Sequence, residues 1–198
     1  MFTGIYQSIT ILVIGAAFYV MDFLIIHHFE QTRRANEMKT GRAWDFTIMA
    51  FVMVAILVLQ PILLPQIGLR TAAWWGLLIQ CTGILLAGFS LSLHIWARFH
   101  LKHFYAERVE ITEHHQVIDT GPYAIVRHPI VVSFFGLATS LMLVVPSLTT
   151  LALVIYTFWD FSHAAAAEEK LLSESLPDYV LYMKRTPRFV PRIITKSD

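Results

Sequence analysis

Residues 72–97 read AAWWGLLIQCTGILLAGFSLSLHIWA, a stretch without a single Asp, Glu, Lys or Arg. A helix needs roughly 20 apolar residues to cross the hydrocarbon core of a bilayer, and this block exceeds that length. Two further blocks, 5–26 and 43–64, also reach it. Two shorter ones, 129–145 and 148–161, meet at Pro146-Ser147, which reads as a tight helical hairpin. The expectation is an all-α integral membrane protein of about five transmembrane helices with a C-terminal helical hairpin. A re-entrant hairpin for the last pair is the alternative. Composition agrees: of 198 residues, 56% are hydrophobic and 15% charged, whereas a soluble domain carries about 25% charged residues.

One domain over 1–198 is expected. Three transmembrane helices fill 1–97, and 98–198 forms the cofactor-binding and catalytic part around the hairpin 129–161. Block 5–26 lacks a basic flank and is too long for a cleavable signal. Gly83, Ala87 and Ser90, with Gly88, make a small-residue strip that lets helices approach closely in lipid. Pro61 and Pro65 should bend or end the second helix. Cys81 is the single cysteine and reads as a buried, inert thiol.

The net charge of +1 gives no reason to expect nucleic acid as a partner. The placement of the cations says more. Arg33, Arg34, Lys39 and Arg42 follow the first block. Arg98, Lys102, Arg108 and Arg127 lie between the third and fourth. Lys170, Lys184, Arg185, Arg188, Arg192 and Lys196 follow the fifth. With five crossings all three groups fall on one side. The positive-inside rule makes that side the cytoplasm and puts the N-terminus outside, as in a plasma (inner) membrane protein. The non-membrane stretches 98–128 and 162–198 should then build any site together, over the cytoplasmic helix ends.

Several residues there could carry chemistry. Pro129 suits the first position of a helix, so Arg127 and His128 stand at a helix N-terminus that favours a carboxylate or other anion. A headgroup contact is the plainer reading of Arg127. Glu168-Glu169 could hold a cationic group or accept from an amine, or could be a solvated helix end. Tyr123, Tyr179 and Tyr182 can stack on a flat ring or face a positive sulfur, or anchor at the interface. Asp22 lies within the first block, where an ionisable residue is costly; near His27 and His28 it reads as structural. Among nine histidines, only His100 and His103 have ligand-like spacing, and two ligands do not close a metal site, so no metal is expected.

Taken together, these pieces resemble a known family. His115-Gln116-Val117-Ile118-Asp119-Thr120-Gly121-Pro122-Tyr123-Ala124-Ile125-Val126-Arg127-His128-Pro129 is similar to the signature H-x-L-V-x-x-G-P-Y-x-x-V-R-H-P of the isoprenylcysteine carboxyl methyltransferases and their prokaryotic membrane relatives. Glu168-Glu169, Leu172, Tyr179, Tyr182 and the tail from Arg185 to Pro191 resemble its second half. The resemblance implies S-adenosylmethionine as methyl donor, bound on the cytoplasmic side, and a lipophilic or prenylated acceptor from the bilayer. It implies that His115, Gly121, Tyr123, Arg127, His128, Glu168, Tyr179 and Tyr182 line the cofactor pocket. Glu168, Glu169 and Arg188 are the catalytic candidates. The sequence departs from the family at Val131, where Tyr is usual, at Ser133, where Gly is common, and at Ala164, where Arg is usual. Leu176-Pro177 replaces Phe-Gly.

Methyl transfer asks the protein to align donor and acceptor and to exclude water. An amine or hydroxyl acceptor also needs a base, for which Glu168, Glu169 and His163 are candidates. Two other readings remain open: an NADPH-dependent sterol-type reductase of related architecture, and an inactive relative that binds membrane lipid. The sequence leaves the acceptor and the oligomeric state open.

Overall fold

The computed structural model describes residues 3–30, 54–64, 73–101 and 117–192, and these are helices joined by turns, with no strand among them. In chain order they are α1 (Ile5–Glu30), α2 (Val54–Leu63), α3 (Ala73–Leu101), α4 (Pro122–Ile125), α5 (Pro129–Val144), α6 (Leu148–Ser175) and α7 (Pro177–Arg185). Within α1 and α3, Ile5–Ile25 and Trp74–Leu101 are long and apolar enough to cross a membrane. Helix α5, with 16 residues, is about 24 Å long and falls short of the bilayer core. The all-α expectation is met, while the count of five crossings reaches beyond the described residues.

The pattern on α3 is inverted relative to a water-soluble helix. Its buried positions include Gly83, Ala87, Ser90, His94 and Arg98, while Trp74, Leu77, Leu85, Phe89 and Trp96 are exposed. Large apolar side chains gain by facing outward only where the surroundings are themselves apolar. Cys81 also lies on this outer surface, which corrects the expectation of a buried thiol: the buried stripe passes through Gln80 and Gly83 instead.

The small residues hold α3 against α5. A Cβ on Gly83 would come within 2.9 Å of the Ser140 carbonyl and of Leu143, and one on Gly136 would overlap the Ser90 hydroxyl. Gly88, expected in the same strip, has open space around it. It points outward because its position falls off the stripe that turns toward α5.

Deeper in the bundle, Ile11, Leu57, Leu141, Val144 and Val145 join α1, α2 and the end of α5 in one apolar cluster. The last carbonyls of a helix have no partner within it, and here side chains supply them. Gln80 Nε2 donates to the Val144 carbonyl at 2.9 Å, and Thr150 Oγ1 to that of Val145 at 2.6 Å. The hairpin at Pro146-Ser147 forms as expected, because Ser147 and Thr150 make a reciprocal capping box that starts α6. Helix α6 runs 28 residues, well past 161, carried by its alanine- and glutamate-rich second half. Leu172 is its last buried apolar residue, and Pro177 opens α7 with the missing N–H at a position that does not need it. Helix α2 ends at Leu63, two residues before Pro65, but Pro61 sits inside its last turn.

Candidate functional site

The polar residues past the helix ends converge on Glu169. This carboxylate lies on α6 and is only 2% exposed. Its Oε1 accepts from Arg127 Nε at 2.9 Å and Nη2 at 2.8 Å, and lies 3.0 Å from His128 Nε2. Its Oε2 accepts from Arg188 Nε at 3.0 Å and also from Arg188 Nη2. Burial alone would raise the Glu169 carboxyl, but hydrogen bonds from His128, Arg188 and Arg127 outweigh it and hold the group near about 2.

Arg127 does more than neutralise this acid. Its Nη1 donates to the carbonyls of Met183 at 3.0 Å and Thr186 at 2.5 Å, groups at the carbonyl-rich end of α7 that a cation suits. Arg127 is therefore a clamp between α6 and α7 rather than a headgroup contact. The backbone adds a second clamp: Arg127 N–H donates to the Pro187 carbonyl at 2.8 Å, and His128 N–H to that of Arg188 at 3.2 Å. His128 caps α5 and lies 3.6 Å from Glu168 Oε2 through its Nδ1. The Glu168 side chain is 43% exposed, so the two adjacent carboxylates differ sharply in access.

The turn before α5 has its own supports. Gly121 adopts φ 57°, ψ −131°, a conformation that favours glycine, and a Cβ there would overlap the His100 ring. His100 Nε2 also lies 3.2 Å from Thr120 Oγ1. His100 thus seats this turn; its spacing partner His103 lies outside the described residues. Tyr182 donates its hydroxyl to the Tyr123 carbonyl at 2.6 Å, and Tyr179 packs edge-on against Tyr182 beside Leu172. Burial pushes all three phenols above the ordinary tyrosine range, so they stay protonated donors. Among the described residues the Tyr123 hydroxyl is buried without a hydrogen-bond partner, a donor open to a bound group.

An apolar cleft of about 260 Å³ opens between α3, α5 and α6, lined by Leu86, Phe89, Ser90, Phe135, Gly136 and Phe158. Phe135 stacks on Phe158 at 4.0 Å and meets Phe189 at 5.2 Å, and Phe189 lies 6.0 Å from His128. A run of aromatic rings therefore links the cleft to the Glu169 cluster.

Of the residues singled out in the sequence, Gly121, Tyr123, Arg127, His128, Glu168, Glu169, Tyr179, Tyr182 and Arg188 gather at this one end of the bundle. His115 lies outside the described residues. His163 is apart from the cluster: its Nδ1 bonds the Trp159 carbonyl at 2.7 Å and its ring rests on Trp159. Asp22 has partners on α3, while the side chains of His27 and His28 lie outside the described residues. Its Oδ1 lies 2.9 Å from His94 Nε2 and 2.8 Å from Arg98 Nη2. Sequence reasoning missed His94, although an imidazole inside a 26-residue uncharged block was signal enough to flag it. Among the described residues no group of three or more His, Cys, Asp or Glu is placed to hold a metal ion.

Comparison with known proteins falls on the same segment. Residues 82–174 match the model of the isoprenylcysteine carboxyl methyltransferase (ICMT) family. The match takes in α3 from residue 82 onward, the turn at Gly121, the hairpin and the Glu168-Glu169 pair, and agrees with the resemblance read from the signature. The chain is also 33% identical over 79 residues to the nickel-cobalt-cadmium resistance protein NccN of Alcaligenes xylosoxydans xylosoxydans, 39% of this chain and 37% of that protein. The chain thus spans well under half the length of that curated relative.

Proposed function

We propose, from the family of the matching segment, that this protein is a membrane methyltransferase that uses S-adenosylmethionine and acts on a lipophilic acceptor at the cytoplasmic membrane face. The supporting observation is the Glu169 cluster. It joins the Gly121–Pro129 signature, the glutamate pair and the Arg188 tail into one site at the helix ends. The residues suit the donor: Tyr123 carries a buried hydroxyl with no partner among the described residues, and Glu168 presents a partly exposed carboxylate fit for the donor's hydroxyls or ammonium group.

Bound there, S-adenosylmethionine would supply an activated methyl group on a positive sulfur. Tyr123, Glu168, His128 and Tyr179 would hold it, with Gly121 shaping the turn. Glu169 has both oxygens engaged by cations, so its role in this reading is to fix Arg127, His128 and Arg188, not to react. Glu168 is the better placed acid for contact with ligand, and the nearer base if the acceptor is an amine. The Phe135–Phe189 ring path would exclude water and lead the acceptor's apolar part from the cleft toward His128.

The test is cofactor-dependent stabilisation of the purified chain in micelles. S-adenosylhomocysteine should raise the melting temperature by mass action, and NADPH should leave it unchanged. The reverse result would replace this reading with the reductase one.

A further inference from the structure

Asp22, His94 and Ser133 come from three helices and form one hydrogen-bonded chain. Asp22 Oδ1 meets His94 Nε2 at 2.9 Å, and His94 Nδ1 meets Ser133 Oγ at 3.0 Å. Arg98, one turn along α3, closes on the same Asp22 oxygen at 2.8 Å. His94 and Ser133 have no exposed surface, and the rings of Phe18 and Phe134 flank the imidazole at 5.6 and 5.2 Å. Ionisable groups in an apolar bundle are costly and persist where they serve function.

The order acid–imidazole–hydroxyl is that of a nucleophilic triad. Here it cannot react: Ser133 donates to the Ile130 carbonyl at 2.5 Å and offers no surface to a substrate. What the chain does is hold. Ser133 lies on the second turn of α5, the helix that His128 caps. At the other branch, α3 runs on from Arg98 to His100, whose ring packs against Gly121 and meets Thr120 Oγ1 at 3.2 Å, at the turn that carries Tyr123.

We propose that Asp22, His94 and Ser133, with Arg98, are positioning residues for the donor site. They tie α1 and α3 to α5 so that His128 and Tyr123 stand in register with Glu168. The proposal rests on the methyl-donor reading above.

The experiment uses the full chain in micelles and measures S-adenosylhomocysteine affinity by calorimetry beside melting temperature. Asp22→Asn and Ser133→Ala should each weaken binding about 3- to 10-fold, the scale of one buried hydrogen bond. The double variant should be no weaker than the weaker single, because both cut one chain. Ser133→Thr keeps the hydroxyl and should keep wild-type affinity. Gln80→Leu, which breaks the remote bond to Val144, should lower the melting temperature and leave affinity alone. If Asp22→Asn and Ser133→Ala behave like Gln80→Leu, the network is merely structural and the proposal is wrong. Should Asp22→Asn fail to fold, the Ser133→Ala and Ser133→Thr pair decides alone. Absence of binding by the wild type would instead sink the donor reading and this proposal with it.

Discussion

Glu169 is the residue on which the site turns, and its low proton affinity has a consequence in pH. A carboxyl held below its ordinary value stabilises the fold above that value and loses the contribution as pH falls through the lowered one. Melting temperature should therefore stay level from about pH 8 to about pH 5 and drop below the usual value near 4.5 toward 2. Glu169→Gln should remove most of that slope and cost about 3 kcal/mol at neutral pH, since it leaves Arg127 and Arg188 facing a neutral amide. Chemical denaturation at several pH values reads both effects. Its neighbour should behave differently: Glu168→Ala should keep the melting temperature and weaken S-adenosylhomocysteine binding, as titration calorimetry would show. The glutamate pair was legible in the sequence as a pair. Which member is buried was not, because that depends on where Arg127 and Arg188 arrive from distant parts of the chain.

At the scale of elements, the contact of α3 with α5 is set by two glycines, and a third makes the control. Gly83→Ala must push against backbone and should cost about 1–3 kcal/mol. Gly88→Ala meets open space and should stabilise α3 by up to about 1 kcal/mol through helix propensity. Thermal melts of the two variants should move in opposite directions, a contrast that the sequence strip Gly83–Ala87–Gly88–Ser90 does not reveal. The hairpin and the start of α6 were readable from apolar blocks and from Pro146 and Ser147, and its end from Pro177. The pairing of α1 with α3 through Asp22 and His94 was not, since helix register is settled by contacts between segments far apart in the chain. Helix α7 offers one more check: Tyr182→Phe removes the bond to the Tyr123 carbonyl and should cost about 1 kcal/mol, measurable by the same melts.

For the molecule as a whole, the outward-facing Trp, Leu and Phe residues of α1 and α3 fit a bilayer. The signature turn and the glutamate pair meet at one end, as the charge distribution anticipated. The further expectation is orientation: a C-terminal reporter active only in the cytoplasm should be on, and the same reporter at the N-terminus off. The opposite pattern would invert the assigned topology without disturbing the cluster.

The backbone stitch between Arg127-His128 and Pro187-Arg188 carries a temporal consequence. Pro187 and Arg188, which fasten the turn at Arg127-His128, are synthesised well after it. A nascent chain stalled before Pro187 would already have its membrane helices, yet would contain an acid missing one of its two arginines and a turn with nothing to lean on. Competence would come only once Pro187 and Arg188 are in place, so a chain cut before them would be inserted but blind.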